Sequence, residues 1–455
     1  MPSAHLTAPL RSCSVHKKFG YSRLNTNCTR KLNNMLRKHL FLLVLFCLTV
    51  SFVQAQDKAA SACVAASGEP LRIGAVFPAQ TVLTASVITP LRGVEAMVAA
   101  VNACGGVGGR PVELVSVSAN NRDSARDAVE KLSGDVPLII GSGSPAVSEV
   151  LLDASRDGSF VYWEVSEPLD APHQWSFSSL PSDSQLGAQT ADFIQSQVAT
   201  MLGEKQPVRL AIVHEKRLAA QQIADALSSR LSTPPVLTYA YENVMADSYS
   251  FAKQIRESKV NVVVVVALNR DADRFWWNMK QADANVKAYI QVGESDRRNS
   301  CQRIGNSDNL VMMSRTGTVS DTYRQQQIGA IYDQYTAIYM KESAHLPDVT
   351  ADLSASSVYL LLHDILPDAV SDFTVSNLQA KIQATQVTVG SGLMGEGFML
   401  KDNLNQASVA VVQQRQDNRL CSLFPSDIAT CFAALQPFPT WRERVSQSQF
   451  ASCVD

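Results

Sequence analysis

The chain has 455 residues, 46% of them apolar and 18% charged, with 40 Lys+Arg against 42 Asp+Glu. That length and apolar fraction are enough to bury two ordinary hydrophobic cores. The charge balance excludes a strongly basic protein built to hold nucleic acid or an anionic membrane surface.

Residues 40–53 form an apolar run of 14, preceded by Arg37 and Lys38 and followed by Val53-Gln54-Ala55. A basic flank, an apolar stretch and a small-residue site make a secretory signal, with cleavage expected after Ala55. A membrane anchor is the competing reading, but a helical span needs roughly 20 residues. Residues 1–34 are basic and lack acidic side chains, so they read as an over-extended start with Met35 as the better initiator, or as a transit peptide. Residues 1–55 hold eight basic residues and no acidic one, so the mature chain carries 32 basic against 42 acidic side chains.

From Leu71 onward, strand patterns alternate with helix patterns. Leu71–Val76 is a short apolar run, and Val94, Met97, Val98 and Val101 then recur at helical spacing. The glycine-rich break GGVGG stops that helix, and Val112–Val117 reads as the second strand. Val136–Gly141 leads into a helix over Pro145–Arg156, Phe160–Val165 is a further strand, and Ser184–Leu202 a further helix. A second series follows, with strands at 208–213, 236–241, 260–268 and 288–292 and helices at 219–231, 251–258 and 271–282. Runs such as VNVVVVVAL, apolar at every position, belong to parallel strands buried on both faces. Two such series predict two doubly wound α/β lobes. Helices resume over 325–341 and 353–366, and the stretch after about Ser408 reads as an irregular tail wrapping the body.

Cys13, Cys28 and Cys47 lie in the leader, and Cys63, Cys104, Cys301, Cys421, Cys431 and Cys453 remain. An even number in an exported chain points to disulfides. The expected pairs are Cys63 with Cys104, which flank the first strand and helix, Cys421 with Cys431, which close a short loop, and Cys301 with Cys453. Their spacing matches no zinc pattern, and neither a metal nor a cofactor is expected.

Several segments in order, IGAVFP, GVEAMVAAVNACGGVGGRPVEL, ANNRDSARDAVEKL, IIGSGSPAVSEVL, SEPLD, FSSLPSDSQLGAQTADFI and RLAIVHEK, make the chain resemble the type I periplasmic solute-binding proteins, in the leucine/isoleucine/valine-binding group that feeds ABC importers. The resemblance runs from about Leu71 to Gln414. It implies two α/β lobes joined by three crossing strands, with the ligand in the cleft between them. Lobe 1 would be 71–181 plus 319–387, lobe 2 would be 186–315 plus 392–420, and residues 421–455 would form a disulfide-rich tail. The crossings would fall near 180–184, 314–318 and 387–391.

The resemblance also nominates ligand contacts. The loop Gly141-Ser142-Gly143-Ser144-Pro145 enters a helix, where free N–H groups and the positive end of the dipole attract a carboxylate. Ser142 and Ser144 would hold the ligand's α-carboxylate, while the structural alternative makes Ser144 only an N-cap with Pro145 at the first helical position. Val165 and Ser166 would accept from the ligand's ammonium through a carbonyl and a hydroxyl, or simply end a strand. Glu294 would pair with the same ammonium, or be a solvated loop acid. Pro145 stands where the family has a serine, Ala219 and Ala355 where it has aromatic residues, and Leu268 or Asn269 where it has a tyrosine. These departures imply a wider, more apolar pocket than an amino-acid clamp.

Trp163 reads as core or cleft lining, and of Trp276 and Trp277 one belongs in the core. GxSxG is almost met at Gly141–Pro145, but proline replaces the second glycine, and no Asp/His set completes a hydrolase. The expected function is a non-enzymatic, monomeric periplasmic receptor that closes on an amino acid or related solute and hands it to an ABC permease. A soluble sensory co-receptor is the alternative, and an exported hydrolase the third reading.

Overall fold

The computed structural model describes residues 63–443, except 80–88, 167–170, 243–244, 268, 294–308, 316–328, 390–391, 417–418, 427–428 and 432–433. Residues 1–55, expected above to be a leader, and Leu268, Glu294, Cys301 and Cys453 therefore lie outside the described residues.

The first sheet has five parallel strands, β1 (Leu71–Phe77), β2 (Val112–Ser118), β3 (Leu138–Gly141), β4 (Val161–Glu164) and β5 (Ser176–Ser178), in the order β2-β1-β3-β4-β5. Helices α1 (Thr89–Ala103), α2 (Arg122–Leu132) and α3 (Pro145–Ala154) connect them. Chain order departs from spatial order at β1, flanked by β2 and β3, which is the switch where such sheets bind ligands beyond the carboxyl ends of their strands. Local signals fix the helix starts. Asn121 accepts from the Ser124 N–H while the Ser124 hydroxyl answers the Asn121 N–H, a reciprocal cap.

The chain then passes to a second sheet through α4 (Asp183–Phe193), which continues as a π turn over Ile194–Val198. Strands β6 (Leu210–Glu215), β7 (Leu237–Tyr241), β8 (Val262–Val266), β9 (Ala288–Val292) and β10 (Val311–Ser314) are parallel. They are linked by α5 (Leu218–Arg230), α6 (Ser248–Glu257) and α7 (Asn269–Gln281). Beyond β10 the chain returns to the first core with α8 (Ala330–Ser343), α9 (Val349–Leu360) and α10 (Val375–Ala384). Close helix contact needs glycine in each lobe. A Cβ on Gly93 would lie 2.3 Å from Ala351 O, and one on Gly187 would lie 2.3 Å from Ile223 O.

Two expectations are corrected. Residues 392–405, placed in lobe 2 from sequence, pack with the first core through Leu393, Met394 and Phe398. There β12 (Phe398–Lys401) joins β11 (Gln386–Val387) and β13 (Leu404–Asn405) in a small antiparallel sheet, and the third passage follows it. The tail after Ser408 is likewise not irregular. It forms β14 (Val411–Gln416) and β15 (Arg419–Phe424), antiparallel strands that complete a seven-stranded sheet, so the expected boundary at 420/421 cuts through a strand.

Polarity hid this hairpin. Gln413, Gln414, Arg415 and Gln416 are buried, and their amides reach protein partners: Gln413 Nε2 to Ser422 Oγ, Gln414 Nε2 to Gln436 O, and Gln416 Nε2 to Ala434 O. A buried amide with its partners supplied does not incur the desolvation penalty that makes polar strands rare. The tail's Phe438 and Trp441 then pack edge-on against Trp276. Trp276 is buried and Trp277 is 44% exposed, under the Lys280 ammonium. Disulfides join Cys63 to Cys104 and Cys421 to Cys431.

Candidate functional site

In lobe 1, Gly141 at the end of β3 lies in register with Glu164 at the end of β4. The loop Ser142–Ser144 leads from β3 into α3, and Val165–Ser166 leads out of β4. Between them sits the Glu164 side chain, fully buried. Its Oε1 accepts from the backbone N–H groups of Ser142, Val165 and Ser166, each at 3.0 Å. Its Oε2 accepts from Ser148 Oγ at 2.5 Å and from the Tyr162 hydroxyl. With Ser166 Oγ at 3.4 Å from Oε1, three amides and three hydroxyls thus converge on one carboxylate, the kind of donor set that stabilises a buried anion.

This arrangement accounts for the nominated residues of lobe 1. Ser142, Val165 and Ser166 are brought together, but the donors of Ser142 are taken up within the protein. Its N–H serves Glu164, and its Oγ lies 2.7 Å from Ser148 Oγ and 2.9 Å from Ser144 O. The Ser144 N–H donates to Ser142 Oγ at 3.1 Å, yet the Ser144 hydroxyl makes no capping bond to α3. Ser144 thus stands at the N-cap without capping, half-buried beside Gly143, whereas Ser166 is buried with its Oγ 3.4 Å from Glu164 Oε1. Pro145 is the first residue of α3 and contributes no N–H. Trp163 is core: its indole N–H donates to Ser357 Oγ at 3.0 Å.

In lobe 2 the corresponding strand ends carry Glu215, with Arg217 Nε 2.6 Å from its Oε2, and Tyr241, whose carbonyl accepts from the Lys216 N–H at 2.7 Å. Burial, with Asp271 and Glu215 nearby, pushes the Tyr241 phenol well above its ordinary value, so it stays protonated. His214 is buried and its Nδ1 lies 3.1 Å from Glu215 O. Ala219 is exposed in the first turn of α5 and offers a methyl group where the resemblance implies an aromatic ring. Leu268 and Glu294 lie outside the described residues.

The passages between the lobes are tied by polar groups. Arg315, just after β10, forms a buried ion pair with Asp183 at the start of α4, and its Nε donates to Pro181 O at 2.9 Å. Asn405 Nδ2 donates to Ser179 O at 2.7 Å, which joins the first passage to the third. Beside them the half-buried Glu396 accepts from the Ser356 hydroxyl and from the Met394 N–H at 2.7 Å.

Residues 70–419 match the periplasmic binding protein family. The chain belongs to the periplasmic binding proteins. Among its relatives, "Leu/Ile/Val-binding protein homolog 8" of Brucella melitensis is 21% identical over 375 residues, covering 79% of this chain and 91% of the relative. Among solved structures, a putative branched-chain amino acid ABC transporter protein from Silicibacter pomeroyi has a TM-score of 0.66 at 15% identity, over 82% of this chain and all of the other. A solute-binding protein from R. palustris in complex with benzoate has a TM-score of 0.56 at 16% identity, over 80% of this chain and 99% of the other. The family is one of solute-binding proteins, so this periplasmic binding protein is not an enzyme.

Sequence reading passed over Glu164, Glu215, Arg217 and Tyr241 in this binding protein. The signal available was a charged residue at the last position of an otherwise apolar strand, as in VYWE and LAIVHE. A cavity of about 310 Å³ lies elsewhere, between α4 and β14, lined by Gln189, Phe193, Met313, Val412 and Phe424. Among the described residues no cluster of His, Cys, Asp and Glu has the makings of a metal site.

Glu396 carries a pH prediction. Burial pushes its carboxyl above its ordinary 4.5, and Asp364 adds to the rise, against the bonds from Ser356 and Met394. The folded chain therefore holds this proton more tightly than the unfolded chain. The resulting stabilisation is complete below the unfolded value and is lost as pH rises through the folded one. Glu396→Gln is neutral at every pH, so it should gain stability relative to the wild type as pH rises from about 4 to about 7. Urea unfolding across that range checks it, and parallel profiles would show that the Glu396 proton is not coupled to folding.

Proposed function

We propose that this protein is the solute receptor of an ABC importer, exported behind residues 1–55, monomeric, and closing its two lobes on a small organic solute. The observation that carries the reading is the placement of polar loops at the carboxyl ends of both parallel sheets: Ser142–Pro145 and Glu164–Ser166 on one, Glu215–Arg217 on the other. The named ligands of the relatives, branched-chain amino acids and benzoate, support a small organic solute as cargo. In this reading Ser144 and Ser166 meet the ligand from lobe 1 and Ala219, Leu268 and Glu294 from lobe 2. Val165 and Pro145 shape the lobe 1 edge.

A solute that contacts both lobes favours the closed form by the contacts made only there. A thermal-shift panel of amino acids, amides, alcohols and aromatic acids is expected to return a ligand that raises Tm. Small-angle scattering should then show a smaller radius of gyration with that ligand bound. A stabilising ligand that leaves the scattering unchanged would sink the closure mechanism, and a panel without any hit would sink the small-solute reading.

A further inference from the structure

We infer that Glu164 is a built-in carboxylate that fills the anion cradle at the lobe 1 strand ends, so that the cleft selects solutes that bring no carboxylate to it. The first half stands on geometry alone, and the second rests on the cleft being the solute site, as proposed above.

The N–H groups of Ser142, Val165 and Ser166 all point at one oxygen, Glu164 Oε1, at 3.0 Å. Ser148 Oγ and the Tyr162 hydroxyl complete the set on Oε2. Ser166 Oγ lies 3.4 Å from Oε1, so the residue that tops the cradle also faces the anion. Backbone amides that leave two neighbouring parallel strands and converge on one point form an anion-binding concavity whatever carries the charge. Here the charge is covalently attached to β4. Gly143 closes the top: a Cβ there would lie 2.8 Å from Pro90 and 3.5 Å from Ser166 Oγ.

A second carboxylate brought to Gly143, Ser144 and Ser166 would meet the Glu164 anion and find the Ser144 and Ser166 N–H groups already donating to Ser142 Oγ and Glu164 Oε1. Like charges disfavour each other strongly in a site shielded from water. Pro145 withdraws one more donor from the start of α3. A neutral or cationic group, by contrast, gains from the anion beneath it and meets the half-buried Ser144 at its edge.

The test empties the cradle. In the full chain, Glu164→Ala should fold less stably, and added acetate should restore its Tm in a saturable manner that sodium chloride at equal ionic strength does not reproduce. Wild type should show no acetate-specific shift. Equal shifts in the two proteins, or none in the variant, would overturn the cradle. A Glu164→Ala chain that refolds no better in acetate than in chloride counts the same way.

Selectivity is read separately with Glu164→Gln, which keeps the shape and removes the charge. Matched pairs such as benzoate and benzamide, or leucine and leucinamide, are titrated calorimetrically into wild type and variant. Wild type should prefer the amide member, and the variant should narrow the preference by about tenfold or more. A wild-type preference for the carboxylate would overturn the selectivity claim. Acetate rescue without binding of any pair would leave the cradle standing and would count against the solute cleft instead.

Discussion

Converting Arg315 to alanine is expected to destabilise the folded chain by about 3–5 kcal/mol at neutral pH, the cost typical of breaking a buried ion pair from one side. The Arg315 and Asp183 side chains are 6% and 5% exposed, so neither charge recovers full hydration when the other is removed. The two single changes should not be equal. Asp183 opens α4 behind the Ser182–Gln185 capping box, and the helix dipole there favours a carboxylate by a few tenths of a kcal/mol or more. Asp183→Asn removes both the paired carboxylate and its favourable place at the start of α4, and should fall toward the upper end of the range. Replacing both partners by apolar residues of similar volume should cost far less, since the desolvation penalty goes with the charges. Urea unfolding of the two singles and the double measures the coupling. Single variants within about 1 kcal/mol of wild type would mean that the pair does not clamp the first passage to the second.

Removing the Cys63–Cys104 disulfide should cost about 4 kcal/mol if chain entropy dominates, and the Cys421–Cys431 disulfide about 3 kcal/mol. The order follows from separations of 41 and 10 residues, because the longer loop withdraws more freedom from the unfolded chain. The first disulfide anchors the segment before β1 to the end of α1. Two backbone bonds reinforce it there: the Ala66 N–H donates to Asn102 O at 2.8 Å and the Ser67 N–H to Gly109 O at 3.2 Å. A double Cys→Ala variant of each pair, unfolded in urea beside wild type, gives the two costs. A larger loss from the shorter loop would show that native contacts, not loop entropy, set the values.

The parallel strands were legible because their burial is complete. VVVVV at β8 and LIIG at β3 are buried at every position, and no other arrangement hides both faces of such a run. The caps at Asn121 and Ser182 are equally local, yet they were not read as helix starts, and the helix after Ser182 was placed from Ser184. The hairpin of β14 and β15 was not legible. Its glutamines are buried against Ser422, Ala434 and Gln436, and a polar run reads as surface until those partners are known.

The candidate site divides in the same way. The glycine–serine loop after β3 stands out in the sequence because a strand, a glycine-containing turn and a helix-starting proline are all local features. Its present occupant is not local: Glu164 reaches Ser142 across 22 residues and Ser148 across 16. The carboxylate role expected of Ser142 and the ammonium-accepting role expected of Val165 and Ser166 were read without the Glu164 carboxylate that engages their N–H groups.

The sequence by itself determined the alternation of strand and helix, the two-lobed α/β class and two of the disulfides, since each rests on periodicity, composition or chain proximity. Tertiary structure alone decided where the third passage runs, which polar residues are buried, and that a carboxylate of the chain sits in the lobe 1 cradle. Apolar burial follows from a residue's own chemistry, whereas the state of a polar group depends on which partner the fold brings within 3 Å of it.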